Sequence, residues 1–283
     1  MERLHSSQNL LFIDRALPTA LAPNRDLGIQ VLGDLHGGLV SYLAGILNGV
    51  PDGGSGDLDA NDGKDVAARL IVRPFVHRTS SPMRGLGVAF SASSGRQAGA
   101  SALPVFRTAT AQQQFFSYTT GVAADGIRTR YSPQVFYFHG RFGAWAEYVH
   151  TRVPVTPGGG VPETIEHRAW QLAGSWMLTR ESVSDGGTVV HPRAVFDPPA
   201  GRWGAFQIAA RIHQLDVDQR AVERGFATDG SSRTAEAATV GLNWYLTPNF
   251  RYTVNFERTV FDHRAAGARK PEDAFVFRTQ VAF

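Results

Sequence analysis

Of the 28 basic residues in this 283-residue chain, all except Lys64 and Lys270 are arginine. A guanidinium keeps its charge at any relevant pH and forks onto an oxyanion with parallel N–H donors. The chemistry such a set suggests is reversible anion binding. A high-GC coding bias gives the same composition, so position along the chain has to separate the two. The arginines are scattered singly along the sequence. A nucleic-acid footprint needs them clustered, so no nucleic-acid partner is expected.

Other site chemistries find little support. The chain has no cysteine, which removes disulfides, zinc-thiolate centres and thiol nucleophiles. It contains neither a Gly-x-Ser-x-Gly nor a His-Glu-x-x-His motif, and its nine histidines are dispersed. The run Asp57-Leu58-Asp59-Ala60-Asn61-Asp62-Gly63 invites a calcium-loop reading. Its glycine falls one place late, however, and Ala68 stands where a bidentate glutamate belongs. No catalytic residue, metal or cofactor is expected.

The elements that must position the arginines alternate with period two, the pleat of a strand. Phe275, Phe277, Thr279, Val281 and Phe283 share one face of the last segment, and Val276, Arg278, Gln280 and Ala282 share the other. Eleven such segments are predicted: 26–35, 39–49, 65–77, 85–96, 128–139, 142–154, 165–178, 203–216, 236–246, 249–261 and 273–283. Their length suits a bilayer crossing at barrel tilt. Val240, Leu242, Trp244 and Leu246 oppose Thr239, Gly241, Asn243 and Tyr245; Phe206, Ile208, Ala210 and Ile212 oppose Gln207, Ala209, Arg211 and His213. No apolar stretch is long enough for a transmembrane helix. A mean hydropathy of −0.17 is uninformative where hydrophobicity is hidden in alternation.

Short turns at 36–38, 140–143 and 247–249 alternate with long polar loops at 50–64, 97–127, 155–164, 217–235 and 262–272. That sorting is the outer-membrane arrangement, with short turns periplasmic; 179–202 breaks it. On these faces Arg69, Arg73, Arg211, Arg251 and Arg278 line the lumen, where a row of cations attracts anions. The competing account has them bracing the wall against carboxylates such as Glu147 and Glu257. Trp145, Trp170, Trp176, Trp203, Trp244, Tyr137 and Tyr148 are expected mostly in interfacial girdles. The rival architecture, a soluble all-β carbohydrate-binding domain, uses the same tryptophans as a sugar platform.

Residues 1–7 lack the basic and apolar regions of a signal peptide, and strand parity starts the chain on the extracellular side. Both features are expected of the C-terminal part of a longer protein.

Leu11-Phe12-Ile13-Asp14-Arg15-Ala16-Leu17-Pro18 and Pro23-Asn24-Arg25-Asp26-Leu27-Gly28 resemble the phosphate-selective porin O and P family. So do Tyr42–Gly49, Asn61–Asp65, Phe115–Tyr118, Trp203–Phe206 and Gly241–Leu246, in family order across essentially the whole chain. The resemblance implies an antiparallel transmembrane β-barrel of the bacterial outer membrane, usually trimeric, that conducts small anions. Eleven of an expected sixteen strands are present, which allows an open or gapped sheet. Residues 1–25 match the constriction loop that folds into the lumen, and 26–283 the barrel. In phosphate-binding members a serine pair and an arginine eight residues further along contact the anion. Ser6, Ser7 and Arg15 stand at that spacing. The implied function is passive diffusion of phosphate or polyphosphate, with a general anion or organic-acid pore as the alternative.

Overall fold

Alternating sequences leave a strand no choice about its two faces, and here the outer one is apolar. The computed structural model describes residues 2–56, 63–101, 103–158, 160–183, 190–262 and 269–282. The strands are β1 (Gly28–Leu35), β2 (Val40–Leu47), β3 (Asp65–Val72), β4 (Leu86–Ser101), β5 (Phe106–Arg107), β6 (Gln114–Phe116) and β7 (Val122–His139). They continue with β8 (Phe142–Pro157), β9 (Glu163–Met177), β10 (Ala205–Asp216), β11 (Thr234–Thr247), β12 (Phe250–Phe261) and β13 (Glu272–Val281). Eleven of them form one sheet in chain order, every neighbouring pair antiparallel. The sheet is open, β1 and β13 being its edges. β5 and β6 pair separately.

All eleven predicted segments are strands of this sheet, and the differences are local. The third stops at Val72 because Pro74, which offers no N–H to a ladder, follows two residues later. β7 begins at Val122, earlier than expected, and its register with β8 shifts between Ala124 and Thr129. Gly126, at φ 123°, sits within that irregularity, so the end of the loop expected at 97–127 is strand from Val122 onward. The two-residue connection at Gly140 and Arg141 uses a left-handed Gly140, φ 56°. Connections 73–85 and 178–204, at the short-turn end, are long.

Outward side chains are apolar and open. Val240 is 56% exposed, Ile208 44%, Leu242 40% and Phe277 58%. The inward positions between them are shut away, and many are polar: Gln207, Arg211, His213, Thr239, Asn243, Thr253, Asn255 and Glu257 are all buried. A soluble domain has the reverse polarity. Two expected outward or interfacial side chains are not. Leu246 is buried where the register shifts between Tyr245 and Thr247. Trp145 faces inward, packed with Phe12 and Phe136, instead of joining a girdle. Phe283 lies outside the described residues, as does most of the calcium-like run.

The inner face is not uniformly polar. Toward the long-loop end Phe106, Phe115 and Phe116 of the β5–β6 ribbon meet Leu17, Leu21, Val153, Ile165 and Leu215 in one buried cluster. Burial of each phenylalanine contributes roughly 1.5–3 kcal/mol, which is what folds this long connection back onto the wall.

Val240 lies near the middle of β11, so its outward direction can be tested. Val240→Arg is expected to destabilise the protein in lipid vesicles by roughly 2–4 kcal/mol, the cost of a guanidinium near the bilayer midplane. Reversible denaturant titration measures it; an unchanged midpoint would mean that this face does not meet hydrocarbon.

Candidate functional site

Residues 2–22 carry three short 3-10 turns, Glu2–Leu4, Ser7–Asn9 and Leu17–Leu21, and lie on the inner face of β8–β13. Backbone groups of this segment take the place of water for the buried polar wall. Ile13 N–H donates to Asn255 Oδ1 at 2.7 Å and Leu17 N–H to His213 Nδ1 at 3.2 Å. Asn243 donates to the Leu11 carbonyl at 2.9 Å, and Arg251 to the carbonyls of Leu10 and Gln8, both at 3.2 Å.

At the centre is Arg211, whose side chain is wholly buried between Glu2 at 3.2 Å and Glu257 at 3.3 Å. It also donates to the Asp14 carbonyl at 3.0 Å and stacks over Phe12, 4.4 Å from the ring centre. Burial pushes the Glu2 carboxyl up, while Arg211, the Ala16 N–H and Gln171 pull it the other way. Burial, helped by the nearby Glu147 charge, outweighs these three donors and holds the carboxyl above its ordinary value.

A second latch holds the β2–β3 connection. Arg130 engages Asp52 and, at 3.0 Å, Asp65; Arg128 reaches Asp65 at 3.2 Å and the Val50 carbonyl at 3.0 Å. Burial raises the Asp52 carboxyl, but Arg130 and Arg128 outweigh it and hold the group below its ordinary value. Its contribution is therefore complete above about pH 3.8 and is lost as pH falls through the lower folded value. Gly53 N–H donates to the Ala22 carbonyl, joining this latch to the inserted segment.

The residues singled out from sequence separate into three groups. Ser6 is exposed, its Oγ accepting from Gln8 N–H, and Ser7 opens the turn Ser7–Asn9. Arg15 donates to the His5 carbonyl at 2.9 Å, a backbone contact next to Ser6 rather than a contact with either serine hydroxyl. Arg211, Arg251 and Arg278 lie beneath the segment and bind it; Arg278 donates to the Ile13 carbonyl at 3.4 Å. Arg69 and Arg73 stand apart on the other half of the sheet. Arg69 donates to Gln134 at 3.0 Å, and Arg73 to Ser41 at 3.2 Å while lying over Phe136.

A groove runs between the inserted segment and β2–β7, bordered by Arg3, Arg69, Ser91, Ser93, Ser132 and Gln134. Arg3 also borders a second cavity with Arg15, Asp14 and Arg107. Burial, and then the charge of Arg15, brings the Arg3 guanidinium down to about 10. Burial and the Glu257 charge raise Asp14, against Arg211 and Arg278. Glu2 and Arg3 escaped sequence reasoning. Nothing periodic marks them, and the partner of Glu2 lies 209 residues away.

Arg211→Met is expected to cost roughly 3–5 kcal/mol, because Glu2 and Glu257 stay buried without their shared cation. Denaturant titration together with protease cleavage inside 8–16 measures it. A loss under about 1 kcal/mol with the segment still protected would remove the clamp role.

The outer membrane channel DcaP of Acinetobacter baumannii superposes with a TM-score of 0.53 at 8% identity, over 90% of this chain and 62% of that one. OmpT folded in vitro, an outer membrane protein of Vibrio cholerae, aligns with a TM-score of 0.49 at 11% identity, over 90% of this chain and 63% of that one. The chain thus spans about 62% of the length of the first of these barrels, and the likeness to it is one of fold. No curated protein matches the chain. The architecture is that of an outer-membrane β-barrel of the bacterial envelope. The family model for phosphate-selective porin O and P matches residues 1–283, and the chain belongs to that family.

Proposed function

We propose that the protein is a porin for passive diffusion of small anions, with phosphate or polyphosphate preferred, and that residues 1–25 form its constriction. The observation that carries this is the groove beside the inserted segment, where Arg3, Arg69 and Arg130 stand among serine hydroxyls and an amide, with Asp26, Asp65 and Glu147 also on its border. Such donors replace part of an oxyanion's hydration shell. Conduction requires that they do so weakly enough to let the ion leave. Arg3 and Arg15 repel one another, and an anion between them relieves that repulsion. Ser6, Ser7 and Arg15 are assigned to anion contact, and Arg69 and Arg73 to the cationic lining. Arg211, Arg251 and Arg278 brace the constriction from the wall, Arg211 with its charge taken up by Glu2 and Glu257. Homotrimeric assembly follows from the family resemblance.

Planar-bilayer recording of the purified protein, with phosphate titrated against chloride current, tests the proposal. Phosphate is expected to block chloride saturably, and Arg15→Ala to raise the half-blocking concentration by roughly tenfold, the loss of one charge-assisted contact. Chloride current that stays constant to high phosphate would instead indicate a general anion or organic-acid pore. An unaltered block in the variant would take Arg15 out of the site.

A further inference from the structure

We infer that the outer wall of β8–β10, at its long-loop end, is a binding site for a phosphate-bearing lipid of the outer leaflet. The cross-strand register sets the outward residues of this wall in rows. Val135, Ala146, Leu172 and Ile212 form an apolar row. Tyr148, Trp170 and Gln214 form the next row toward the loops. Above them come Tyr131, His150, Arg168 and Asp216, and then Thr129, Arg152 and Glu166. Apolar, aromatic and charged rows thus succeed one another within a few residues of strand, at about 3.3 Å per residue.

Both halves of the site have shape. Pro133, Val135, Ala146, Tyr148, Trp170 and Leu172 border a shallow groove on the lipid side. It is wide enough in chemistry for an acyl chain, since every outward group in it is apolar or aromatic. Directly above, Arg168, Arg220 and Arg233 border a polar cleft with Glu166, Asp216 and Asp218.

Two of the three carboxylates of that cleft already have partners, Asp218 within the cleft and Asp216 outside it. Asp218 accepts from Arg220 and from Glu166 N–H, and Asp216 from Thr234 and Gln214. Glu166 alone remains for three cationic or protonatable groups: His150 at 3.3 Å, Arg152 at 3.4 Å and Arg168 at 3.7 Å. The last distance is beyond hydrogen bonding. The Arg152 and Arg168 side chains are 58% and 60% exposed. Two guanidiniums with unused donors, standing over an aromatic girdle in the leaflet that faces outward, match a lipid phosphate whose acyl chain follows the groove.

This site is separate from the anion path, being on the other face of the sheet, so the two proposals fail independently. The test titrates the purified protein in neutral-detergent micelles with a bisphosphorylated, acylated glucosamine disaccharide. Bound lipid per protein is read by native mass spectrometry. Saturable binding is expected; Arg152→Gln with Arg168→Gln should weaken it roughly tenfold or more. Arg258→Gln, which removes an exposed arginine paired with Asp273 on the distant β12–β13 wall, should leave it unchanged. The dephosphorylated disaccharide should bind as poorly to the native protein as the phosphorylated one binds to the double variant, and inorganic phosphate should not displace the lipid. Absence of saturable binding, equal binding by the double variant, equal loss in Arg258→Gln, or displacement by inorganic phosphate would each overturn the site.

Discussion

Arg211 holds the molecule's interior together, because it is a buried charge that nothing but protein can neutralise. Removing a guanidinium from water costs several kcal/mol unless opposite charges and hydrogen bonds surround it. Glu257 supplies one partner from the wall and Glu2 the other from the inserted segment. Glu257 then accepts from Thr110 N–H as well, at 3.1 Å, so the connection carrying β5 and β6 is drawn to the same point. One cation in β10 thereby ties both insertions to the same point, in addition to the apolar cluster that buries Phe106, Phe115 and Phe116 against Leu17 and Leu21.

The outer wall imposes the complementary demand. Lipid offers no hydrogen bonds, so the backbone must be satisfied strand to strand and the outward side chains must be apolar. That leaves polar side chains one direction, inward, where they need partners. Those facing the inserted segment found them in its backbone, and they pack it tightly. Those on β2–β7 border the groove instead. The arginines accordingly serve two ends. Arg211, Arg251 and Arg278 are spent on the segment, whereas Arg3 and Arg69 border the groove.

Much of the wall was legible because its information is local and periodic. Alternation alone set the eleven strands and the direction of Ile208, Leu242 and Phe277. It failed where a local signal misleads. Residues 122–127 belong to an expected polar loop yet lie inside β7, and Trp145 looks like a girdle residue yet packs on Phe12. The interior was less legible, since its contacts join residues far apart in sequence. Arg211 was placed on the correct face, but its bracing role depends on Glu2, which no pattern marks. Ser6, Ser7 and Arg15 were brought together by the family resemblance alone, and the contact the structure gives Arg15 is the His5 carbonyl, which no sequence pattern reveals.

The central claim is that one face of this sheet meets hydrocarbon and the other does not. The chain has no cysteine, so single spin labels can be introduced along β11 from Thr239 to Asn243 without background, and their collision rates with oxygen and with a water-soluble relaxant compared in bilayers. The expected result is a period of two, with positions 240 and 242 favouring oxygen and positions 239, 241 and 243 showing no such preference. Uniform accessibility along the strand, or oxygen preference at 239 and 243 in place of 240 and 242, would contradict the account.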